Sequence, residues 1–394
     1  MTESAQSAPD MGILPSPHTV DVAIIDTTGT IRGVPSQLFL TPPVKGYDWL
    51  ALPVFSFLVK HPSLDRSIVF DLGIRKDWEN LSPAVLSQLK NHGWNVHVDK
   101  DVSEILHDAG VNVNKVEAII WSHHHADHTG NPNTFPSSTS LIVGPGFKSV
   151  LPGYPTNPNS PILESDLSGR ELIELDFDSG TSGAHTFQRL TIGRFRALDY
   201  FSDGSFYLLD SPGHAVGHIC ALARVTSSPA SFVLLAGDAI HHPGEIRPSK
   251  YLPLPKDIIP DPFAPDPHPL ESHYACPGAV FDALFAGRGR PANRPIYKPA
   301  GEAETGGRSF HHDMDELLRV IEKLQEADAH DNVFVAGAHD EALLDHIVFF
   351  PHGTMNDFVK KGWLRRVRWR FLRDFADAVG KRDHEFGRRH WGHE

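Results

Sequence analysis

Apolar residues along the chain gather in short blocks whose period switches between two and nearly four. Val20–Asp26, Pro53–Val59 and Ile68–Phe70 are alternating or continuous apolar segments bounded by Gly, Pro and Asp, which predicts strands. Pro83–Lys90 and Val102–Ala109 read as helices, each introduced by a cap-type residue, Ser82 and Asp101. A strand follows at Val116–Trp121, then a second set at Leu141–Val143, Phe206–Leu209, His218–Val225 and Phe232–Leu235. A helix at Asp313–Glu326, a strand at Asn332–Ala336 and a helix around Trp363–Val379 complete the pattern. Two such halves of strands and helices fit an α/β (α+β) fold of four layers, αββα.

Two segments break the periodicity. Residues 144–190 are rich in Gly, Pro, Ser and Asn, with Tyr154, Phe177 and Phe187 among them. Residues 241–310 are denser in proline, including Pro243, Pro248, Pro253, Pro255, Pro260, Pro262, Pro265, Pro267 and Pro269. Loops this long in a compact domain are usually binding loops or lids. The expected layout is a disordered tail over 1–18, one domain over 19–380 carrying both insertions, and a C-terminal tail over 381–394.

Composition narrows the class. A 40% hydrophobic content supports a sizeable core in 394 residues, and mean hydropathy of −0.26 is that of a soluble chain. No run approaches the roughly 18–20 apolar residues of a membrane span. Met1–Asp10 lacks the basic start and apolar stretch of a secretory signal. Cys220 and Cys276 are the two cysteines, which is no disulfide framework and suits a reducing, cytoplasmic setting; Cys220 reads as a small core residue. The formal charge of −13 argues against a nucleic-acid substrate. The one basic stretch, residues 360–370, spaces Trp363, Val367, Arg370 and Phe371 as a helix face packed on the domain.

The chemistry lies after the strand Val116–Trp121, in Ser122-His123-His124-His125-Ala126-Asp127-His128-Thr129-Gly130. Imidazole nitrogens and a carboxylate are ligands that zinc, iron and manganese accept. In extended backbone His123 and His125 point the same way, whereas Asp127 and His128 come where the chain turns toward a helix, so one segment can feed two metals. A merely solvated histidine tract would sit in a low-complexity or terminal segment, which this is not. Three further segments end on ligand-type residues: Ser211-Pro212-Gly213-His214-Ala215-Val216-Gly217-His218, Leu234-Leu235-Ala236-Gly237-Asp238 and Val335-Ala336-Gly337-Ala338-His339.

These segments, in this order, resemble the signature of the metallo-β-lactamase superfamily, whose fold is an αββα sandwich. The resemblance implies a first metal held by His123, His125 and His214, a second by Asp127, His128 and His339, and Asp238 bridging both. It leaves His124 outside the ligand set, makes His218 a packed or supporting histidine, and leaves Asp71 open between supporting a ligand and ending a strand. Two divalent ions can share one hydroxide and polarise a carbonyl, which is equipment for hydrolysing an ester, amide or thioester. An all-nitrogen-and-oxygen set suits zinc first, and also iron or manganese.

Within the superfamily the intact ligand set is similar to lactonase and glyoxalase II members, and the length and proline-rich insertion are similar to fungal lactone and lactam hydrolases. The resemblance therefore implies hydroxide attack on a small cyclic ester or amide. A glyoxalase II-type thioesterase is the alternative, and a non-catalytic metal-stabilised binding protein the alternative of another class. Asp127 is the candidate to pass a proton to the leaving group. Lactonases carry a Tyr three residues beyond the bridging Asp; this chain has His241 there, then His242, so His241 is the candidate carbonyl partner and Tyr251 a second source of a hydroxyl. The expected partner is a small molecule, met at a mouth walled by the two insertions, with a homodimer contact the other use open to them.

Overall fold

The computed structural model describes residues 5–264, 275–286, 293–307 and 309–381; Pro265, Pro267, Pro269 and the expected tail from 382 onward lie outside the described residues. The first sheet holds β1 (Asp21–Pro35), β2 (Trp49–His61), β3 (Arg66–Phe70), β4 (Asn95–His97), β5 (Val116–Ile120), β6 (Ser140–Val143) and β7 (Leu172–Glu174). Their order is β4-β1-β2-β3-β5-β6-β7. The second holds β8 (Gln188–Ile192), β9 (Phe195–Asp199), β10 (Phe206–Asp210), β11 (Ile219–Ser227), β12 (Ala230–Leu235) and β13 (Val333–Ala336), in that order.

Period-two alternation explains the layering. On β1, Val22 and Ile24 face a core shared with Leu208, Ala221 and Val233 of the second sheet, whereas Ala23 and Ile25 face the other way. Those outward residues are covered by Val102 and Leu106 of helix α2 (Val102–Asp108), which follows α1 (Pro83–His92). The far face of the second sheet packs Leu222, Leu234 and Val335 against Leu317, Val320, Ile321 and Leu324, the apolar stripe of a long helix, Met314–Asp328. The result is the four-layer αββα sandwich expected from the sequence.

Two registers set the site. β3 and β5 run parallel with Phe70 opposite Ile120, so the residues after each strand emerge side by side. β12 and β13 are also parallel, with Leu235 opposite Ala336, which brings the two segments that follow them together. Both pairs deliver their next residues to the carboxyl edge of the sheets, where open α/β sheets bind ligands.

Several expectations need correction. Residues 5–18 are no loose tail: Met11 is buried, its carbonyl accepts from Gly193 N–H, and the Leu14 carbonyl accepts from Arg224. The 144–190 segment is not all loop. Its Leu172–Glu174 becomes the edge strand β7, and Phe177 and Phe187 sink into the core between the sheets. A cleft beside the site is lined by residues 47, 50–52, 241–243, 339–342, 371, 373 and 374. The continuous helix around Trp363–Val379 breaks into Trp363–Val367 and a 3-10 stretch, Arg370–Phe375. Trp363, Val367, Trp369, Phe371, Leu372 and Phe375 are all buried, a set too wide for one helix face, and the bend lets Arg370 donate to the carbonyls of Pro262 and Ala264.

Candidate metal centre

The strand Val116–Ile120 ends under Trp121, whose indole N–H donates to the Thr129 carbonyl and ties the turn back on itself. The turn runs into α3 (Ala126–Thr129), a single helical turn. His123 and His125 precede it, Asp127 and His128 lie on it, and the two pairs of side chains separate. His123, His125, His214 and Asp238 form one group of converging ligand-type atoms; Asp127, His128, Asp238 and His339 form another, each within 4.8 Å.

Asp238 stands between them. Its Oδ1 lies 3.0 Å from His128 Nε2 and 3.1 Å from His339 Nε2. Its Oδ2 faces His214 Nε2 at 3.6 Å, His123 Nε2 at 3.9 Å and His241 Nε2 at 3.3 Å. The Gly before it is required by space. Gly237 has φ +52°, and a Cβ there would meet His218 Nε2 at 2.8 Å. The Pro-Gly-His turn is as tight, since a Cβ on Gly213 would stand 2.2 Å from the Leu317 backbone nitrogen.

Four of the five histidines are fixed through their other nitrogen. His128 Nδ1 pairs with Asp71 Oδ2 at 2.8 Å, and Asp71 Oδ1 accepts from Ser122 N–H at 2.6 Å. His339 Nδ1 donates to the Pro53 carbonyl at 2.8 Å. His123 Nδ1 meets Ser122 Oγ at 3.0 Å, and His214 Nδ1 meets His311 Nδ1 at 3.1 Å. Asp71 thus backs the His128 ring from its far side; its φ of +59° is a left-handed turn that Asp tolerates. His218 is supporting too: its Nε2 accepts from Asp238 N–H at 3.1 Å while Nδ1 donates to Ser211. His124 lies outside both groups, and burial pushes it down to about 4.

Whether a cation fits is answered by what these contacts leave over. Among the described residues His123 Nε2 is buried without a hydrogen-bond partner, and His128 Nε2, His339 Nε2 and Asp238 Oδ1 meet only one another; all point into the two groups. Buried polar atoms are almost always satisfied, so this convergence is the mark of a ligand set. Electrostatics agree. Burial alone would raise Asp238, but the imidazoles of His128, His339 and His241 outweigh it and hold the carboxylate well below its ordinary range. Burial, then their neighbours' charge, holds His123, His125 and His214 well below the ordinary imidazole value. His128 goes the other way: burial opposes its charge, yet Asp238, Asp71 and Asp127 raise it well above.

His241 lies at the centre's edge, its ring 4.9 Å from that of His214 and 4.5 Å from Phe39. The buried Glu245 carboxylate accepts from the backbone N–H groups of both His241 and His242 and pins the chain there. His242 turns away, to Asp374 at 3.2 Å. Tyr251 is not at the site; its hydroxyl bonds Glu326 on the helix Met314–Asp328. Cys220 is a buried free thiol in the core. Sequence reasoning missed His311, buried beside His214 and pushed down to about 3 by desolvation. The only signal was the His311-His312 pair ahead of the Asp313 helix cap.

The metallo-beta-lactamase superfamily model matches residues 49–333, and the chain belongs to that superfamily. It is 45% identical over 378 residues to gamma-lactamase FDB1 of Fusarium pseudograminearum, covering 95% of this chain and 86% of that protein. It is 40% identical over 385 residues to metallo-hydrolase mfmC of Annulohypoxylon moriforme, covering 96% and 93%. Among solved structures, a single-site mutant of AiiA from B. thuringiensis, with N-decanoyl-L-homoserine at its active site, aligns with TM-score 0.51 at 17% identity, covering 86% of this chain and 99% of that one. That likeness is one of fold. Family and relatives make the protein a metal-dependent hydrolase. Among the described residues no helix is long and apolar enough to cross a membrane.

Proposed function

We propose that the protein is a binuclear metallohydrolase that opens a small cyclic amide or cyclic ester. The observation that carries this reading is Asp238, whose two oxygens face different ligand groups. A carboxylate so placed would serve both groups if each held a cation, as a pair of ions that shares a water requires. The cyclic substrate is supported by the relative named gamma-lactamase, aligned over 95% of this chain.

His123, His125 and His214 would hold one ion, Asp127, His128 and His339 the other, with zinc the first expectation for such donors. Bound divalent ions supply a water acidified toward neutrality and a Lewis acid for the carbonyl oxygen. The chain supplies the rest. Asp127 is 14% exposed, so its carboxylate can reach a substrate and return a proton to the departing nitrogen or oxygen. His241 Nε2, on a backbone pinned by Glu245, is the donor for the carbonyl oxygen, in the place where the resemblance to lactonases implies a tyrosine hydroxyl. Asp71 and the Pro53 carbonyl keep His128 and His339 with Nε2 turned inward.

The test is a panel of lactams, lactones and glutathione or CoA thioesters assayed with the zinc-loaded protein. Ring-opened acid from a lactam or lactone is expected. Free thiol as the sole product would make it a thioesterase, and tight binding without any product would leave a binding protein.

A further inference from the structure

A metal-ligating histidine nearly always gives its second N–H to a carboxylate, a carbonyl or water. His214 does neither among the described residues. Its Nδ1 faces Nδ1 of a second imidazole, His311, at 3.1 Å, while its Nε2 faces the first ligand group, 3.0 Å from His125 Nδ1 and 3.6 Å from Asp238 Oδ2. We propose that His311 is the positioning residue of the first metal group, accepting the Nδ1 proton of His214 so that His214 presents a bare Nε2 to the cation.

Valence decides the direction. Two facing ring nitrogens share one proton, and a ligating Nε2 requires that proton on Nδ1 of His214. His311 is then the acceptor, and its own proton lies on Nε2. That nitrogen is buried and has no hydrogen-bond partner among the described residues, so it is a donor left over for an ordered water or for substrate. The backbone is built to hold this contact across 97 residues of chain. His312 N–H donates to the His214 carbonyl at 2.9 Å, and Asp313 N–H to the Gly213 carbonyl at 2.8 Å. Ser309 Oγ accepts from His311 N–H at 3.0 Å and donates to the His311 carbonyl. On the other side the ring is 5.6 Å from that of His241.

The inference rests on His214 being a ligand, so its test reads metal first and turnover second. Wild type, His311→Leu and His311→Asn are loaded with zinc, and its release to a competing chelator is followed at fixed pH. Asn carries an acceptor oxygen where the imidazole carries Nδ1; Leu fills the space with none. In Leu one zinc should be held about 10–100-fold more weakly, with the other unchanged, and Asn should restore most of the loss. The cobalt-loaded Leu variant should show an altered visible spectrum for one ion only. Wild-type affinity in Leu overturns the proposal, as does equal weakness in Leu and Asn when both keep the native circular dichroism. If Leu fails to fold, ring-nitrogen NMR of the zinc-loaded wild type decides: a proton on His311 Nε2 supports the proposal and one on Nδ1 overturns it. Wild type that binds no zinc overturns both this inference and the function proposed above, whereas tight zinc without ring opening overturns only the latter.

Discussion

The two ligand groups share Asp238 and differ in almost everything else. The first offers three imidazoles and one carboxylate oxygen, backed by neutral partners, the Ser122 hydroxyl and the His311 ring. The second offers two imidazoles and two carboxylates, backed by a third carboxylate, Asp71, and by the Pro53 carbonyl. A divalent ion in the second group meets Asp127 and a share of Asp238; in the first it meets a share of Asp238 alone. The comparison teaches that two groups built from one turn need not be two equal sites. The second is the anionic one, and protons compete for it.

The largest effect should come from the residue the groups share. Asp238→Ala removes an oxygen from each and leaves five imidazoles facing a void. Zinc content should drop below one per chain by elemental analysis, and ring-opening activity by at least roughly 10³-fold. A variant that keeps two zincs would break the bridging assignment.

Next in size is Asp71→Asn, which acts on the second group alone. The amide keeps the shape and removes the charge behind His128, so one zinc should bind about 10–100-fold more weakly while the first is unchanged. Chelator competition checks it, and two zincs weakened together would dissolve the contrast between the groups.

Why the seven candidate ligands were legible, and their supports were not, follows from where each contact is made. His123, His125, Asp127 and His128 are encoded in one turn, and His214, Asp238 and His339 each end a strand that its own apolar run announces. The supports are made by packing across the chain. His311 meets its partner over 97 residues and Pro53 over 286, so nothing in either local sequence points to the other. Local composition also misled. Leu172–Glu174 has three residues, too few to carry a period, and its Gly- and Pro-rich surroundings hid an edge strand. The Gln188–Ile192 and Phe195–Asp199 hairpin was missed because its first strand, Gln188-Arg189-Leu190-Thr191-Ile192, is mostly polar and lies at the open edge of its sheet.

A smaller effect belongs to the first group. Ser122→Ala removes the hydroxyl beside His123 Nδ1. A neutral hydrogen bond is worth about 1 kcal/mol, so zinc in this group should weaken only about fivefold. A loss as large as that in Asp71→Asn would mean that charge behind the ligand is not what separates the groups.

The smallest effect separates the groups without mutation, in the metal-free protein. His123, His125 and His214 have imidazole values depressed chiefly by burial, so below about pH 6.5 the unfolded chain binds protons that the folded one refuses. Their contribution to stability is therefore present above that pH and is lost as pH falls toward the depressed values. His128 and His339 are raised by Asp238 against the opposing effect of burial, so they hold protons when folded that they would lose unfolded. Their contribution is complete below about pH 6.5 and disappears as pH rises through the raised values. From this cluster alone, the melting temperature of metal-free protein should peak near neutrality and fall on either side by an amount on the order of a few degrees. Zinc reverses the alkaline arm, because a cation in the second group must displace the His128 and His339 protons and binds more tightly as pH rises. Asp71→Asn should flatten the alkaline arm of the metal-free curve and leave the acid arm in place. If the variant tilts both arms equally, the two groups titrate as one, and the division drawn at Asp238 is wrong.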